Sequence, residues 1–272
     1  MLHHPHVSAD RISRTPLVAI LHTGYELLRL DFQNLYRLSL LGYFWSFFKP
    51  LATVLPLMLV GREFGLLPKG FGCSHASFLL VGALFWEFFV DCIHQTLALA
   101  RRYRKEMLLR PGFEWSIVSA GLTTSFFSFA FRAAIVLGWI LATERVNFLG
   151  FFASILMLIP LAAMAMFIAL PSICFNFVYN DLKYMLGYLT SLLVWSAAVY
   201  YWPSEDGRLF QVIKYNPITY LIGITRELIF FTPPTFLDGP GLEISIAVAF
   251  VLGSLGILYF RQTVRRSIDY VI

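Results

Sequence analysis

Charged residues are scarce in this sequence. Asp, Glu, Lys and Arg make up 14% of its 272 residues, whereas a soluble domain has about 25%. Hydrophobic residues reach 58%, the mean hydropathy is +0.70, and no polar stretch is long enough for a separate soluble fold. These properties predict a single all-α membrane domain covering residues 1–272. The net charge of +5 does not predict a nucleic-acid partner, because in a membrane protein the placement of positive charge matters more than its sum.

Motifs of the common enzyme classes are also missing. The chain has no GxxxxGK[ST] stretch, so it cannot bind ATP through a Walker A loop, and it has no HExxH or GxSxG. Cys73, Cys92 and Cys174 are scattered without CxxC spacing, which predicts free thiols and neither a disulfide framework nor a metal site. The N-terminal 20 residues lack the apolar core of a signal peptide. We therefore expect no catalytic residue, cofactor or metal on this chain.

Residues 21–67 combine an amphipathic helix with a first hydrophobic span. Apolar side chains in 21–40 recur on one face with helical periodicity, and most polar ones lie opposite. Residues 38–61 are apolar apart from Lys49 and are long enough to cross a hydrocarbon core of about 30 Å. Gly42 supplies backbone freedom at the hinge between the two parts. The pattern predicts an interface helix at 21–40 that runs directly into span one at 43–65.

Five further apolar runs predict spans at about 75–100, 115–141, 148–178, 184–203 and 242–261. The fourth run has no charged residue over 146–180 and would be about 52 Å long as one helix. We therefore expect a broken or extended end, with candidate kinks at Pro160 and Pro171. Residues 204–241 are too polar to span a bilayer and too apolar for a solvated loop, which predicts short re-entrant or interfacial helices between spans five and six.

The Lys and Arg residues are distributed unevenly about these six spans. Fourteen lie on the side of the N-terminus: five within 1–49, five within 101–110, Lys183, and three after span six. Six lie on the other side, and Arg132 falls within span three. The excess places both termini in the cytoplasm by the positive-inside rule.

Glu87, Asp91 and Arg132 carry charge inside predicted spans two and three, where ionisable residues are costly and mark candidate functional positions. Glu87 and Asp91 are four residues apart in span two and share a face, and Arg132 lies in span three. One alternative is a structural pairing of one or both carboxylates with Arg132. The other is a proton-coupled carrier or membrane enzyme that uses the same three groups.

Aromatic residues crowd one end of span one and are also dense in spans two and five. Because aromatic rings stack on sugar faces, such residues could line a glycan conduit, and the alternative is that they face lipid or fill the core. Arg37 and Lys49 could meet an anionic phosphate or extend their charges to the membrane interface. The conduit candidates are Tyr43, Phe44, Trp45, Phe48, Phe85, Trp86, Trp195 and Tyr201.

Five segments along the chain carry recognisable motifs. Residues 41–51 contain the pattern LG-x-x-W-x-x-x-x-P, and residues 82–89 contain G-x-x-x-W-x-F-F. A basic segment follows at 105–111, then a loop with Asp181 at 176–183, and the pattern NP-x-x-Y lies within 215–220. In this order, the segments resemble the ABC-2 type transmembrane subunits that export lipid-linked polysaccharides. Asp181 matches an acidic position of that family, whereas Lys49 stands where an uncharged polar residue is common.

This resemblance implies a half-transporter of the cytoplasmic (inner) membrane. Two copies would form a homodimer and bind two separate ATPase subunits, which would carry the ATP and Mg. The interface helix and residues 101–112 would contact the ATPases, and 204–232 would lie near the exit. The alternative for 101–112 is a loop that binds anionic headgroups. The implied coupling residues are Arg101, Arg102, Arg104, Lys105 and Glu106.

Two other functions fit the same residues. One is an ABC-2 permease for a small molecule or drug, and the interface helix with the short, mostly apolar outer segment favours the polysaccharide exporter over it. The other is the proton-coupled carrier or membrane enzyme based on the intramembrane charges, which would not depend on an ATPase.

Overall fold

The computed structural model describes residues 73–110, 112–176, 181–201, 213–230 and 240–269, with the short pieces 22–27, 29, 54–56, 179 and 210. This part of the chain is helical and contains no strand, which confirms the all-α class for the described residues. The helices are α1 (His75–Arg102), α2 (Arg104–Leu109), α3 (Phe113–Thr143), α4 (Phe148–Ile155), α5 (Leu158–Asn176), α6 (Leu182–Ser196), α7 (Pro217–Phe230) and α8 (Gly241–Asp269).

Within the described residues, four helical segments are long and apolar enough to cross a membrane: His75–Arg102, Phe113–Thr143, Phe148–Asn176 and Gly241–Val264. They coincide with predicted spans two, three, four and six, and they are the features of a membrane protein. Predicted span one and the interface helix lie outside the described residues, apart from the helical pieces 22–27, 29 and 54–56. The described residues therefore support four of the six predicted spans by length and composition.

Predicted span five is shorter in the structure than its hydrophobic run. Helix α6 has 15 residues, which is about 22 Å, and it ends at Ser196 instead of near residue 203. Ala198 has a φ of 49°, in the left-handed region that a residue with a Cβ rarely adopts. The chain leaves the helix at this point, and hydropathy alone does not register such a backbone turn.

The predicted break in the fourth run lies between α4 and α5. Leu156 and Met157 donate backbone hydrogen bonds to residues three positions earlier, Ala153 at 3.1 Å and Ser154 at 3.0 Å. Pro160 explains the break, because it has no N–H for the Leu156 carbonyl and its ring crowds that carbonyl. Pro171 lies inside the continuous helix α5.

Helix α1 is the centre of the bundle. Its most apolar window is 94% buried, and it packs against α3, α5, α6 and α7. A helix that is apolar on every side is buried on every side. Helices α3 and α8 lie at the periphery and turn large apolar side chains outward, among them Phe127, Trp139, Phe250 and Leu258.

Helices α5 and α8 approach each other closely through small residues. A Cβ on Gly253 would lie 2.8 Å from the Ala163 carbonyl oxygen, and one on Gly256 would lie 2.9 Å from the Cα of Phe167. Close backbone approach at glycine gives dispersion contacts, which associate helices where lipid removes the hydrophobic driving force.

The bundle has two distinct polar ends. At the first, called here the Glu144 end, the start of α1 meets the end of α3 through Ser74 and Glu144. At the second, called the Arg101 end, the end of α1 meets the end of α5, where Arg101 Nε donates to Asn176 Oδ1 at 2.7 Å. Each end contributes residues to the candidate sites.

Candidate functional site

The three intramembrane charges meet at one place between α1 and α3. The Arg132 guanidinium pairs with Asp91 through Nη2 and lies 3.7 Å from Glu87 Oε2 through Nη1. The Arg132 Nε donates to the Ser128 carbonyl at 3.2 Å. The i, i+4 spacing on α1 brings both carboxylates to the face that contacts α3. The structure therefore contains the pairing of Glu87 and Asp91 with Arg132 that was one of the two alternatives from the sequence.

Burial sets the electrostatics of this cluster. The side chains of Arg132, Glu87 and Asp91 are 4%, 8% and 16% exposed. A charge moved from water into such a site loses several kcal/mol of hydration, and close opposite charges offset that loss. The ion pairs therefore connect α1 to α3, and removing either the arginine or the two carboxylates would break this connection.

The predicted coupling residues gather at the Arg101 end. Arg101 and Arg102 close the last turn of α1, where positive charge stabilises the carboxyl end of a helix, and the rest fall on the short helix α2. Buried Met107 anchors α2, whereas Arg102 and Lys105 are exposed. The segment is therefore a short folded helix that presents basic side chains beyond the apolar helices.

The conduit candidates divide into buried and exposed groups. Phe85 and Trp86 are buried in α1, with the Phe85 ring 5.4 Å from that of Phe129 and the Trp86 ring 5.3 Å from that of Phe89. Trp195 is 52% exposed near the end of α6. Tyr201 follows α6 and is partly buried. Outside the described residues lie the other conduit candidates, Tyr43, Phe44, Trp45 and Phe48, and the two phosphate candidates, Arg37 and Lys49.

Helix α6 carries an exposed aromatic stripe in which the conduit candidate Trp195 is joined by Tyr184 and Tyr188, two residues that were not among the candidates from the sequence. Tyr184, Tyr188 and Trp195 are exposed and lie within about 40° of one another around the helix, at 100° per residue. The Tyr201 hydroxyl donates to the Trp195 carbonyl at 2.6 Å, with the two rings 6.1 Å apart. The i, i+4, i+11 spacing on α6 was the signal available in the sequence.

A polar cluster closes the Glu144 end. Glu144 Oε1 accepts from the Ser74 backbone N–H at 2.8 Å and from the Ser77 hydroxyl at 3.2 Å. Partial burial acts against the charged form, but these hydrogen bonds outweigh it and hold the pKa of Glu144 below its usual value. Beside them, burial raises the pKa of the Cys73 thiol to about 12, so this thiol stays protonated at neutral pH.

Arg226 is one of the six Lys and Arg residues that the sequence assigns to the outer side, but the structure buries it. The residue is 1% exposed, and its guanidinium donates to three carbonyl oxygens: Phe78 at 3.2 Å, Ala198 at 3.4 Å, and Val199. Its Cζ also lies 3.8 Å from the centre of the Phe78 ring. No local pattern predicts this arrangement, because Arg226 and Phe78 are 148 residues apart in the chain.

Comparison with models of known protein families and with characterised proteins gives no match for this chain. Among the described residues, no group of three or more His, Cys, Asp or Glu side chains is arranged to hold a metal ion.

Proposed function

We propose that this chain is the membrane subunit of an ABC exporter that moves a lipid-linked polysaccharide across the cytoplasmic membrane. Two copies form a homodimer, and two separate ATPase subunits supply the ATP and Mg. The observation that carries the proposal is the folded basic segment at the Arg101 end. A solvated loop needs neither helical structure nor a buried side chain. Residues 104–109 instead form helix α2 and bury Met107, while Lys105 within the helix and Arg102 before it are exposed.

The distribution of charge supports a cytoplasmic location for the Arg101 end. Arg101, Arg102, Arg104 and Lys105 lie at this end, and the start of α3 there contacts the last part of α8 through Trp115 and Phe260, whose rings are 5.5 Å apart. The positive-inside rule then places the Glu144 end outside and both chain termini in the cytoplasm.

The aromatic stripe of α6 supports a route for the glycan along this helix. Exposed Tyr184, Tyr188 and Trp195 offer ring faces along about 16 Å of helix, and Tyr201 extends the set at its end. Phe85 and Trp86 are packed inside the chain, so in this proposal they form the wall behind the conduit. Arg37 and Lys49 would contact the phosphate of the lipid carrier.

The test is assembly with an ATPase subunit and ATP hydrolysis by the purified complex. Arg102→Ala with Lys105→Ala removes two exposed charges from the coupling surface, whereas Arg145→Ala removes an exposed charge at the opposite end. We expect the double variant to lose assembly or substrate-coupled hydrolysis while the control retains both.

Equal behaviour of the two variants would contradict the coupling role. Failure of any ATPase to co-purify with the wild-type chain would refute the exporter assignment. Transport without an ATPase would favour a carrier that uses Glu87, Asp91 and Arg132, and ATP-dependent export of a small molecule without glycan would favour the drug permease.

A further inference from the structure

The end of α6 leaves backbone carbonyls inside the protein that its own helix cannot satisfy. The last four carbonyls of any α-helix have no partner within the helix, and an unpaired carbonyl in an apolar surrounding is costly. The chain continues past the helix through Ala197, Ala198 and Val199, which are all buried. The carbonyl oxygens of Ala198 and Val199, like that of Ser196 at the helix end, therefore need donors from elsewhere in the chain.

Helix α7 and the residue before it supply those donors. The Asn216 side-chain amide donates to the Ser196 carbonyl at 3.0 Å and to the Ser196 hydroxyl at 3.1 Å. Arg226, near the other end of α7, donates to the carbonyls of Ala198 and Val199. Both ends of α7 are thus attached to the terminus of α6.

The same arginine attaches α7 to α1. It donates to the Phe78 carbonyl and lies against the Phe78 ring, an arrangement that stabilises a desolvated cation. Gly82, one turn further along α1, provides the space: a Cβ there would overlap Arg226 Nη2 and lie 2.6 Å from the Val199 carbonyl oxygen. Arg226, Phe78, Gly82, Ala198 and Val199 are called here the Arg226 anchor.

Helix α7 also contacts two further helices, α4 and α8. The Asn147 backbone N–H donates to the Ile229 carbonyl at 2.9 Å, and a Cβ on Gly150 would overlap the Leu228 carbonyl oxygen. Helix α4 is therefore in direct backbone contact with the end of α7. At the start of α8, a Cβ on Gly241 would overlap the Tyr220 ring.

We propose that the Arg226 anchor makes α7 one rigid body with the Glu144 end of its own chain. Moving α7 away would strip a buried guanidinium of its acceptors and remove the donors that Asn216 and Arg226 provide to the carbonyls of Ser196, Ala198 and Val199. The next step rests on the exporter function proposed above, in which two copies of the chain form a dimer. Opening at the Glu144 end then occurs between the two copies. It does not occur by α7 swinging out of its own bundle.

Hydrogen–deuterium exchange of the purified full-length chain tests the anchor. We expect amides in 217–230 and 196–199 to exchange as slowly as those of central α1. Arg226→Ala and Gly82→Ala should accelerate both segments together by about tenfold or more, the factor expected for loss of one hydrogen bond to a charged group. Arg145→Ala and Gly138→Ala are the matched controls, because Arg145 is exposed and a Cβ on Gly138 meets no atom within 4 Å.

Fast exchange of 217–230 in the wild type, or unchanged exchange in both anchor variants, would overturn the proposal. If Arg226→Ala does not fold, Arg226→Lys is used, with exchange in α3 and α8 as the measure of folding. Arg226→Lys should accelerate hydrogen–deuterium exchange in 217–230 and 196–199, because a compact ammonium cannot reproduce the planar set of donors of a guanidinium.

A second arm uses the chain with its co-purified ATPase, with and without ATP and Mg. We expect α7 to remain as protected as α1 under turnover, and selective acceleration of α7 would refute the rigid-body proposal. If no ATPase co-purifies, the exporter assignment fails, whereas the measurement on the chain alone still decides whether the anchor exists.

Discussion

Removing the positive charge from the buried cluster of Glu87, Asp91 and Arg132 is the sharpest test of the α1–α3 contact. Arg132→Ala leaves two largely buried carboxylates without the guanidinium that pairs with both. Loss of one member of a buried ion pair costs about 3–5 kcal/mol. For a chain of this size that corresponds to a fall in apparent Tm on the order of 10 °C.

The assay is thermal unfolding in a fixed detergent, followed by tryptophan fluorescence at one scan rate because membrane proteins often unfold irreversibly. Arg145→Ala controls for loss of an arginine and should leave Tm nearly unchanged, since that side chain is exposed. Asp91→Asn should cost more than Glu87→Gln, because Arg132 forms its close contact with Asp91.

A neutral version of the cluster separates charge from packing. Arg132→Met combined with Glu87→Gln and Asp91→Asn removes all three charges and keeps similar volumes, so it should recover most of the stability lost in Arg132→Ala. A fall of less than about 3 °C in Arg132→Ala, or no recovery in the neutral variant, would refute the reasoning.

Three further predictions concern other parts of the bundle. Because its folded pKa is lowered, Glu144 contributes stability that is fully present above its unfolded pKa of about 4.5 and is lost as pH falls through the lower folded pKa. The Tm difference between wild type and Glu144→Gln should therefore shrink below about pH 4.5, and a constant difference would contradict this. Cys73, with a pKa of about 12, should react slowly with maleimide at pH 7.5 in the folded chain and quickly after denaturation. Fast labelling of the folded protein would count against the burial of this thiol. Gly253→Val should lower Tm by several degrees whereas Gly138→Val should not, since only the first meets a neighbouring backbone; similar Tm values would argue against close α5–α8 packing.

The sequence predicted what depends on composition and local spacing. Four apolar runs match helices of spanning length, and the spacing of Glu87 and Asp91 placed them on one face. Pro160 marked the break in the fourth run, because the effect of proline on the preceding turn is local. In these cases the chain within about one helical turn determines the outcome.

Features that depend on distant contacts were not predictable. Arg226 has the sequence context of an outer-side charge, and only the packing of α7 against residues 78 and 198–199 buries it. The early end of α6 depends on the left-handed backbone of Ala198, an apolar residue within an apolar run. Similarly, hydropathy does not distinguish buried Trp86 from exposed Trp195, since both lie in apolar helices.

The short α6 has a consequence for how the chain is made. At about 22 Å it does not cover a hydrocarbon core of about 30 Å, and irregular backbone at membrane depth is stable only where protein surrounds it. Asn216 and Arg226 are the donors for carbonyls at the end of α6 and just after it, and they lie 20 and 27 residues further along the chain than their acceptors Ser196 and Val199. A nascent chain that has reached residue 200 therefore holds an unfinished helix end, and biosynthesis must continue through α7 before this region of the membrane domain is stable.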